Sequence, residues 1–103
     1  MPEEQPILTE EEAEAVAIVF QNPGARAIIK LLLERNEPLY HNEIHSILGG
    51  SKSTIHRNLA ELKISGILRC TKGSKSASSK VLVDYYEIDR EFIPLLKNLA
   101  KVL

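Results

Sequence analysis

Residues 43–62 read EIHSILGGSKSTIHRNLAEL, two short amphipathic segments on either side of a Gly-Gly-Ser turn. Apolar residues recur at helical spacing before the turn and predict a helix over about 41–48. The two glycines end that helix, because glycine readily adopts the left-handed conformation that closes a helix. The serine after them can cap a second helix, over about 52–65, whose predicted buried stripe is Ile55, Leu59 and Leu62. Two such helices joined by a tight turn predict a helix-turn-helix.

Two more helices are predicted ahead of this pair. Thr9 and Glu12 have the spacing of a capping box, which starts a helix that runs to about Gln21. Asn22 can cap the next helix, over about 23–35, and the proline after it suits the first helical position. Apolar residues cover most of the circumference of that helix, so we expect it to be central and packed on several sides.

A β-hairpin and a final helix are predicted after the pair. β-branched and aromatic residues predict strands over about 67–72 and 80–88, and the serine-rich tip 73–79 is typical of a flexible turn. Asp89 can cap a last helix over about 90–103. A basic hairpin directly after a helix-turn-helix is the wing of a winged helix. The predicted fold class is therefore mainly α with a small β-hairpin, a winged helix-turn-helix.

Positive charge is concentrated in residues 51–80. This segment holds seven basic residues and one acid, Glu61, although the whole chain has a net charge of −1. Neutralising phosphates with such a segment releases condensed counterions, so the pattern favours a nucleic-acid partner. A solvated charged face is the plainer alternative, and the helix-turn-helix and hairpin around it favour nucleic acid.

Composition narrows the class of protein. The chain has 103 residues, of which 44 % are apolar, and residues 9–103 are predicted to form one domain behind a flexible acidic arm, residues 1–8. The single cysteine excludes an intrachain disulfide, and no apolar run approaches the length of a membrane span. The acidic N-terminus is unlike a signal peptide, so we expect a cytoplasmic protein, associated with the nucleoid when it is bound to DNA. Since no set of catalytic groups is apparent, we expect neither enzymatic activity nor a cofactor.

The segment 43–62 resembles the core of ArsR-type winged-helix regulators, a group related to the MarR-like winged helices. The stretches 66–68 and 84–88, Gly-Ile-Leu and Asp-Tyr-Tyr-Glu-Ile, resemble the beginning and the end of the family's wing. The resemblance covers about residues 23–103. It implies a prokaryotic DNA-binding transcriptional regulator, expected to be a homodimer and a repressor, that inserts helix 52–65 into the major groove of double-stranded DNA.

The family's base-reading positions fall on the second helix of the pair. With the buried stripe turned inward, Arg57 projects outward and can bond guanine O6 and N7 as a bidentate fork. Lysines on the hairpin suit contacts with the DNA backbone or the minor groove. The predicted DNA-binding residues are Ser51, Lys52, Ser53, Thr54, His56, Arg57, Lys72, Lys75 and Lys80.

The first and last helices carry more apolar surface than one small core can cover. Such surface marks an interface, and a two-fold dimer is the commonest solution. The predicted dimer-interface residues are Val16, Val19, Phe20, Phe92, Leu95, Leu96, Leu99 and Val102.

Many ArsR-like proteins sense metals, and the sequence departs from the family at those sites. The family's cysteine pair falls on Tyr40 and Asn42, and the last helix contains no histidine. His41 and His45 can share one helix face, but a zinc site needs further ligands, and two exposed histidines are the simpler interpretation. We expect no metal. Cys70 is interpreted as a packing residue rather than a redox sensor.

Two alternative functions stay open. One is an architectural DNA-coating protein with low sequence specificity, which differs from a regulator in the ratio of specific to non-specific affinity. The other is a winged helix used only to bind proteins. The second explains the charge of residues 51–80 poorly, because a module of that kind has no need of it.

Overall fold

A computed structural model of the protein describes residues 9–78 and 80–101. Its elements in chain order are α1 (Glu10–Gln21), α2 (Pro23–Arg35), β1 (Leu39–Tyr40), α3 (His41–Leu48), α4 (Lys52–Ile64), β2 (Leu68–Ser74), β3 (Leu82–Ile88), a 3-10 turn (Arg90–Phe92) and α5 (Ile93–Ala100). The predicted succession of four helices, a hairpin and a last helix is confirmed. The predicted arm, residues 1–8, lies outside the described residues.

The helix caps predicted for α1 and α2 are present. The Thr9 hydroxyl accepts from the Glu12 amide, and the Glu12 carboxylate accepts from the Thr9 amide, each at 3.1 Å. Asn22 ends α1 and begins α2, because its side-chain oxygen accepts from the amides of Gly24 and Ala25. The bounds of α1 and α2 therefore coincide with the predicted ones.

The turn between α3 and α4 has the predicted backbone conformation. Gly49 and Gly50 both have positive φ angles, 75° and 81°, which glycine adopts without steric cost. Ser51 then caps α4, accepting from the Thr54 amide at 3.4 Å. Helix α4 ends at Ile64, one residue earlier than predicted.

The sheet has one more strand than the sequence predicted. Strand β1 pairs antiparallel with β3, and the strand order among the described residues is β1-β3-β2. The hairpin strands also differ from the prediction, since β2 begins at Leu68 and continues to Ser74, and β3 begins at Leu82. The reason is that Gly73 and Ser74 still pair across the hairpin, with Val83 and Leu82, so the tip begins and ends two residues later than predicted.

The predicted last helix is divided in two. The Asp89 carboxylate caps a 3-10 turn by accepting from the Glu91 amide at 2.9 Å, and α5 begins only at Ile93. Pro94 then lies in the first turn of α5, where a missing backbone N–H costs no hydrogen bond. Among the described residues no single helix is long and apolar enough to cross a membrane. Only α1 and α2 together meet that length and composition, and they are bent by 108°.

Helix α2 is central, as predicted from its apolar circumference. Its buried residues are Ala25, Ile28, Ile29, Leu31 and Leu32. They pack in one cluster with residues of the other helices and the sheet, among them Leu59, Leu62 and Ile88.

The core includes three residues that the sequence assigned to a dimer interface. Val19 and Leu96 are 0 % exposed and Phe92 is 8 % exposed within the single chain. That assignment is corrected, because these side chains pack on α2 and its neighbours and leave little or no surface for a partner. Val102 lies outside the described residues.

Gly24 is expected to tolerate no side chain. A Cβ at this position would collide with the side-chain amide of Asn58 on α4. Alanine favours helices over glycine by about 1 kcal/mol, yet we expect Gly24→Ala to lower the free energy of unfolding by about 1–3 kcal/mol because of this overpacking. Urea denaturation measures the change. Adding Asn58→Ala removes the amide that the new Cβ would meet, so the double variant should be less destabilised than the sum of the two single variants. A urea midpoint for Gly24→Ala equal to that of wild type would contradict the predicted steric clash.

Candidate nucleic-acid interface

Helix α4 presents a solvent-facing side opposite the core. Its stripe of Ile55, Leu59 and Leu62 is buried, as predicted. The predicted DNA-binding residues of this helix and its cap are all exposed, and they are Ser51, Lys52, Ser53, Thr54, His56 and Arg57. In the described part of the chain, no hydrogen bond or ion pair engages the Arg57 guanidinium. Its donors are thus free to bind a ligand.

The N-terminus of α4 is rich in hydroxyl groups. The Ser51 hydroxyl lies 2.8 Å from the Ser53 hydroxyl and accepts from the Thr54 amide. Helix N-termini carry partial positive charge and unpaired amides, which together favour an anionic group. The exposed lysine in the first turn adds a full charge at this end.

The three histidines of the chain lie around the same turn. The Nε2 atoms of His41 and His45 lie 3.1 Å from the Lys52 carbonyl oxygen and 2.9 Å from the Gly50 carbonyl oxygen. The ring of His41 also meets the ring of His56 edge to face, with centroids 5.9 Å apart. Since a carbonyl oxygen only accepts, both Nε2 atoms donate, and the histidines tie α3 to the start of α4. The residues described here contain no group of three or more His, Cys, Asp or Glu side chains that could hold a metal ion.

The lysines of the β2–β3 hairpin differ in how free they are. Lys72 pairs with Asp84 on the neighbouring strand at 2.9 Å, and this hydrogen bond raises the pKa of Lys72 and lowers the pKa of Asp84. Lys75 lies over the ring of Tyr40, 6.0 Å from its centroid. Lys80 is exposed. Part of the positive charge of Lys72 is thus neutralised within the hairpin. The sequence prediction did not include this ion pair.

Comparison with solved structures identifies the architecture. No protein-family model and no curated protein matches the chain by sequence. Two structures of ZitR from Lactococcus lactis are similar. One has 17 % identity and a TM-score of 0.59, covering 98 % of this chain and 56 % of that chain. The other has 16 % identity and a TM-score of 0.64, covering 86 % and 67 %. This chain therefore spans little more than half of the first ZitR chain.

A third similar structure comes from Mycobacterium bovis. It is the homodimeric winged helix-turn-helix DNA-binding domain of Mb0332, a possible ArsR-family transcriptional regulator. It has 22 % identity and a TM-score of 0.60, and the match covers 95 % of this chain and 88 % of that chain. The chain has the winged helix-turn-helix fold. The predicted resemblance to ArsR-type regulators is confirmed at the level of the fold, in which α4 is the second helix of the helix-turn-helix and β2–β3 is the hairpin wing.

Two tyrosines attach the wing to the rest of the winged helix. The rings of Tyr40 and Tyr85 meet edge to face with centroids 5.6 Å apart, and the Tyr85 hydroxyl donates to the Ser74 carbonyl oxygen at 3.0 Å. Tyr86, on the other side of β3, is 8 % exposed in the core. The sequence did not predict the role of Tyr40, because β1 has only two residues and leaves no strand pattern.

Cys70 lies half-buried at the base of the wing and packs against the core. Burial raises the pKa of the Cys70 thiol, and the Asp84 carboxylate raises it further. Because the thiolate is the reactive form, we expect iodoacetamide to alkylate the folded protein more slowly at pH 8 than the protein in urea. Mass spectrometry measures this, since the chain has one cysteine. Equal rates in the two states would contradict a protected thiol.

Part of the predicted dimer surface remains accessible on the winged helix. Phe20 near the end of α1 is 43 % exposed. Val16, Leu95 and Leu99 are partly exposed, and the last two pack against the edge of the core. These four residues are the members of the predicted interface that the structure leaves available to a partner.

Proposed function

We propose that this protein is a sequence-specific DNA-binding transcriptional regulator of the ArsR type, acting as a repressor in the cytoplasm. The observation that carries the proposal is the exposed face of α4, the recognition helix of the proposed regulator, on a winged helix-turn-helix fold, with the Arg57 guanidinium unengaged among the described residues. Ser53, His56 and Arg57 stand on that face, opposite the buried stripe. A recognition helix of this kind enters the major groove with these side chains towards the base edges.

The distribution of charge supports a DNA partner. Residues 51–80 carry seven basic residues against one acid, and they include the recognition helix and the first strand of the wing. The Mb0332 domain, which shares the fold, is described as DNA-binding. A winged helix that binds only proteins does not require this concentration of positive charge.

Each group has its own part in the proposed complex. Arg57 forms a bidentate contact with guanine, and the hydroxyls at the helix N-terminus bind phosphate or a base edge. Lys75 and Lys80 on the wing bind the DNA backbone, which positions the protein without reading much sequence. Lys72 contributes less than these two, because Asp84 already neutralises it.

The proposed regulator is a homodimer. In the proposed dimer, the apolar side chains that α1 and α5 leave accessible, Phe20 foremost, meet their mates across a two-fold axis. Mb0332 is itself described as homodimeric. Two recognition helices related by this axis would contact half-sites about 34–36 Å apart, so the target is a pseudo-palindrome.

A salt titration tests whether DNA binding is real and electrostatic. We expect the affinity for a duplex to fall linearly with salt on logarithmic axes, with a slope of about −5 for a dimer making roughly three phosphate contacts per subunit. Fluorescence anisotropy of a labelled 30-base-pair duplex gives the slope. Absence of binding at low salt, or a slope near zero, would overturn the proposal and leave the protein-interaction module.

A further inference from the structure

Asn22, at the corner between α1 and α2, belongs to both helices. Its backbone N–H donates to the Ile18 carbonyl oxygen at 3.0 Å and so ends α1. Its Oδ1 accepts from the amides of Gly24 and Ala25 at 3.0 and 3.1 Å and so begins α2. The backbone N–H and the Oδ1 atom of Asn22 thus make all the hydrogen bonds that end α1 and begin α2 here. The Nδ2 group remains available to another partner.

That Nδ2 group contacts the recognition helix. It donates to the Asn58 Oδ1 at 3.0 Å and lies 3.3 Å from the Glu61 Oε1. Asn58 is 6 % exposed, the one buried polar side chain in the described part of the chain. A buried amide is stable only when it is hydrogen-bonded, so this pairing fixes the orientation of α4 more tightly than apolar packing alone. The contact also gives a reason for Glu61, the single acid among the basic residues 51–80.

The corner is braced on its other side. The Arg26 Nε donates to the Val19 carbonyl oxygen at 3.2 Å, and its Nη2 donates to the Phe20 carbonyl oxygen at 2.8 Å. Gly24 packs so closely against the Asn58 amide that no Cβ fits between them. The end of α1, the start of α2 and the middle of the recognition helix therefore form one rigid joint.

We propose that Asn22 is a positioning residue that sets the spacing between the two DNA half-sites. This inference rests on the proposed function, in which α1 lies at the dimer interface and α4 lies in the major groove. The joint then fixes the angle between the interface and the recognition helix. Each helix would lie about 17 Å from the two-fold axis, so a swing of about 10° displaces it by roughly 3 Å, about one base pair.

The variant Asn22→Ser separates this role from capping. Serine keeps an acceptor oxygen for the start of α2 but has no Nδ2 to reach Asn58. The measurement is the affinity for three duplexes. In one the two half-sites are at the spacing that wild type binds best, and in the others they are one base pair closer together or one base pair farther apart. We expect wild type to prefer one spacing by about tenfold, comparable to a mismatched base pair, and Asn22→Ser to prefer it by less than about threefold.

Two further variants make the result specific. Gln21→Ser alters the neighbouring exposed residue and should keep the wild-type preference. Asn58→Ala cuts the same link from the recognition helix, and the double variant with Asn22→Ser should relax the preference no further than either single change. Circular dichroism checks that each variant is folded.

The possible outcomes separate this inference from the function it rests on. A wild-type protein that binds no duplex would overturn the proposed function. A wild type that binds with a spacing preference that Asn22→Ser retains would overturn only the inference. Loss of folded structure in both Asn22→Ser and Asn58→Ala would also overturn it, because the link would then serve folding rather than spacing.

Discussion

Phe20→Glu is expected to convert the dimer into a monomer and to weaken binding to a duplex with two half-sites by about 100-fold or more. The side chain is 43 % exposed within one chain, so a glutamate there disturbs the core little. In the proposed dimer the same position meets its two-fold mate, and two buried carboxylates would face each other without a cationic partner. Losing the second subunit then removes the avidity of two linked binding sites, which is commonly 10²–10⁴-fold.

Light scattering at micromolar concentration measures the assembly, and anisotropy measures the DNA affinity. Ile47→Glu is the matched control for assembly, because Ile47 on α3 is exposed to a similar degree, 41 %, and lies outside the proposed interface. A dimeric mass for Phe20→Glu would contradict the interface, whereas a monomeric mass for the wild type would contradict the dimer itself.

Arg57→Ala should narrow the difference in affinity between cognate and random DNA by about tenfold or more per half-site. The guanidinium is exposed and free to form a bidentate pair with guanine, a contact worth about 1–3 kcal/mol of discrimination. Random DNA lacks guanine in the right place, so its binding loses less. Measurement requires the affinity for both duplexes over a series of salt concentrations.

Lys75→Ala is the matched comparison. Lys75 is on the exposed tip of the wing, where a phosphate contact is expected, so both DNAs should weaken equally and the salt slope should fall by about one per bound subunit. If Arg57→Ala also lowered the affinity for cognate and random DNA by the same factor, Arg57 would contact phosphate rather than base edges. The architectural DNA-coating protein would then be the better account.

Local patterns in the sequence predicted the helix-turn-helix well. The glycine pair and the serine after it are sufficient to end α3 and start α4, because both effects act within a few residues. The corner at Asn22 was predicted for the same reason. The sequence also placed the outward residues of α4 correctly, since a buried stripe at helical spacing fixes which side faces solvent.

The features that the sequence did not predict depend on residues far apart in the chain. The Asn22–Asn58 hydrogen bond joins positions 36 residues apart, and the local sequence around neither residue predicts it. Strand β1 exists only because β3 pairs with it. An apolar stripe likewise does not say which neighbour covers it, so Val19 and Leu96 were assigned to a partner although α2 and its neighbours bury them.

Selection of binding sites from random duplex DNA, at about 150 mM salt, tests the central claim most directly. A sequence-specific dimeric regulator predicts enrichment of an inverted repeat whose half-sites are centred about one helical turn apart, with a guanine in each half that Arg57→Ala no longer requires. Recovery of DNA with no enriched sequence, from a protein that binds duplexes tightly, would contradict the regulator and establish a DNA-coating protein instead.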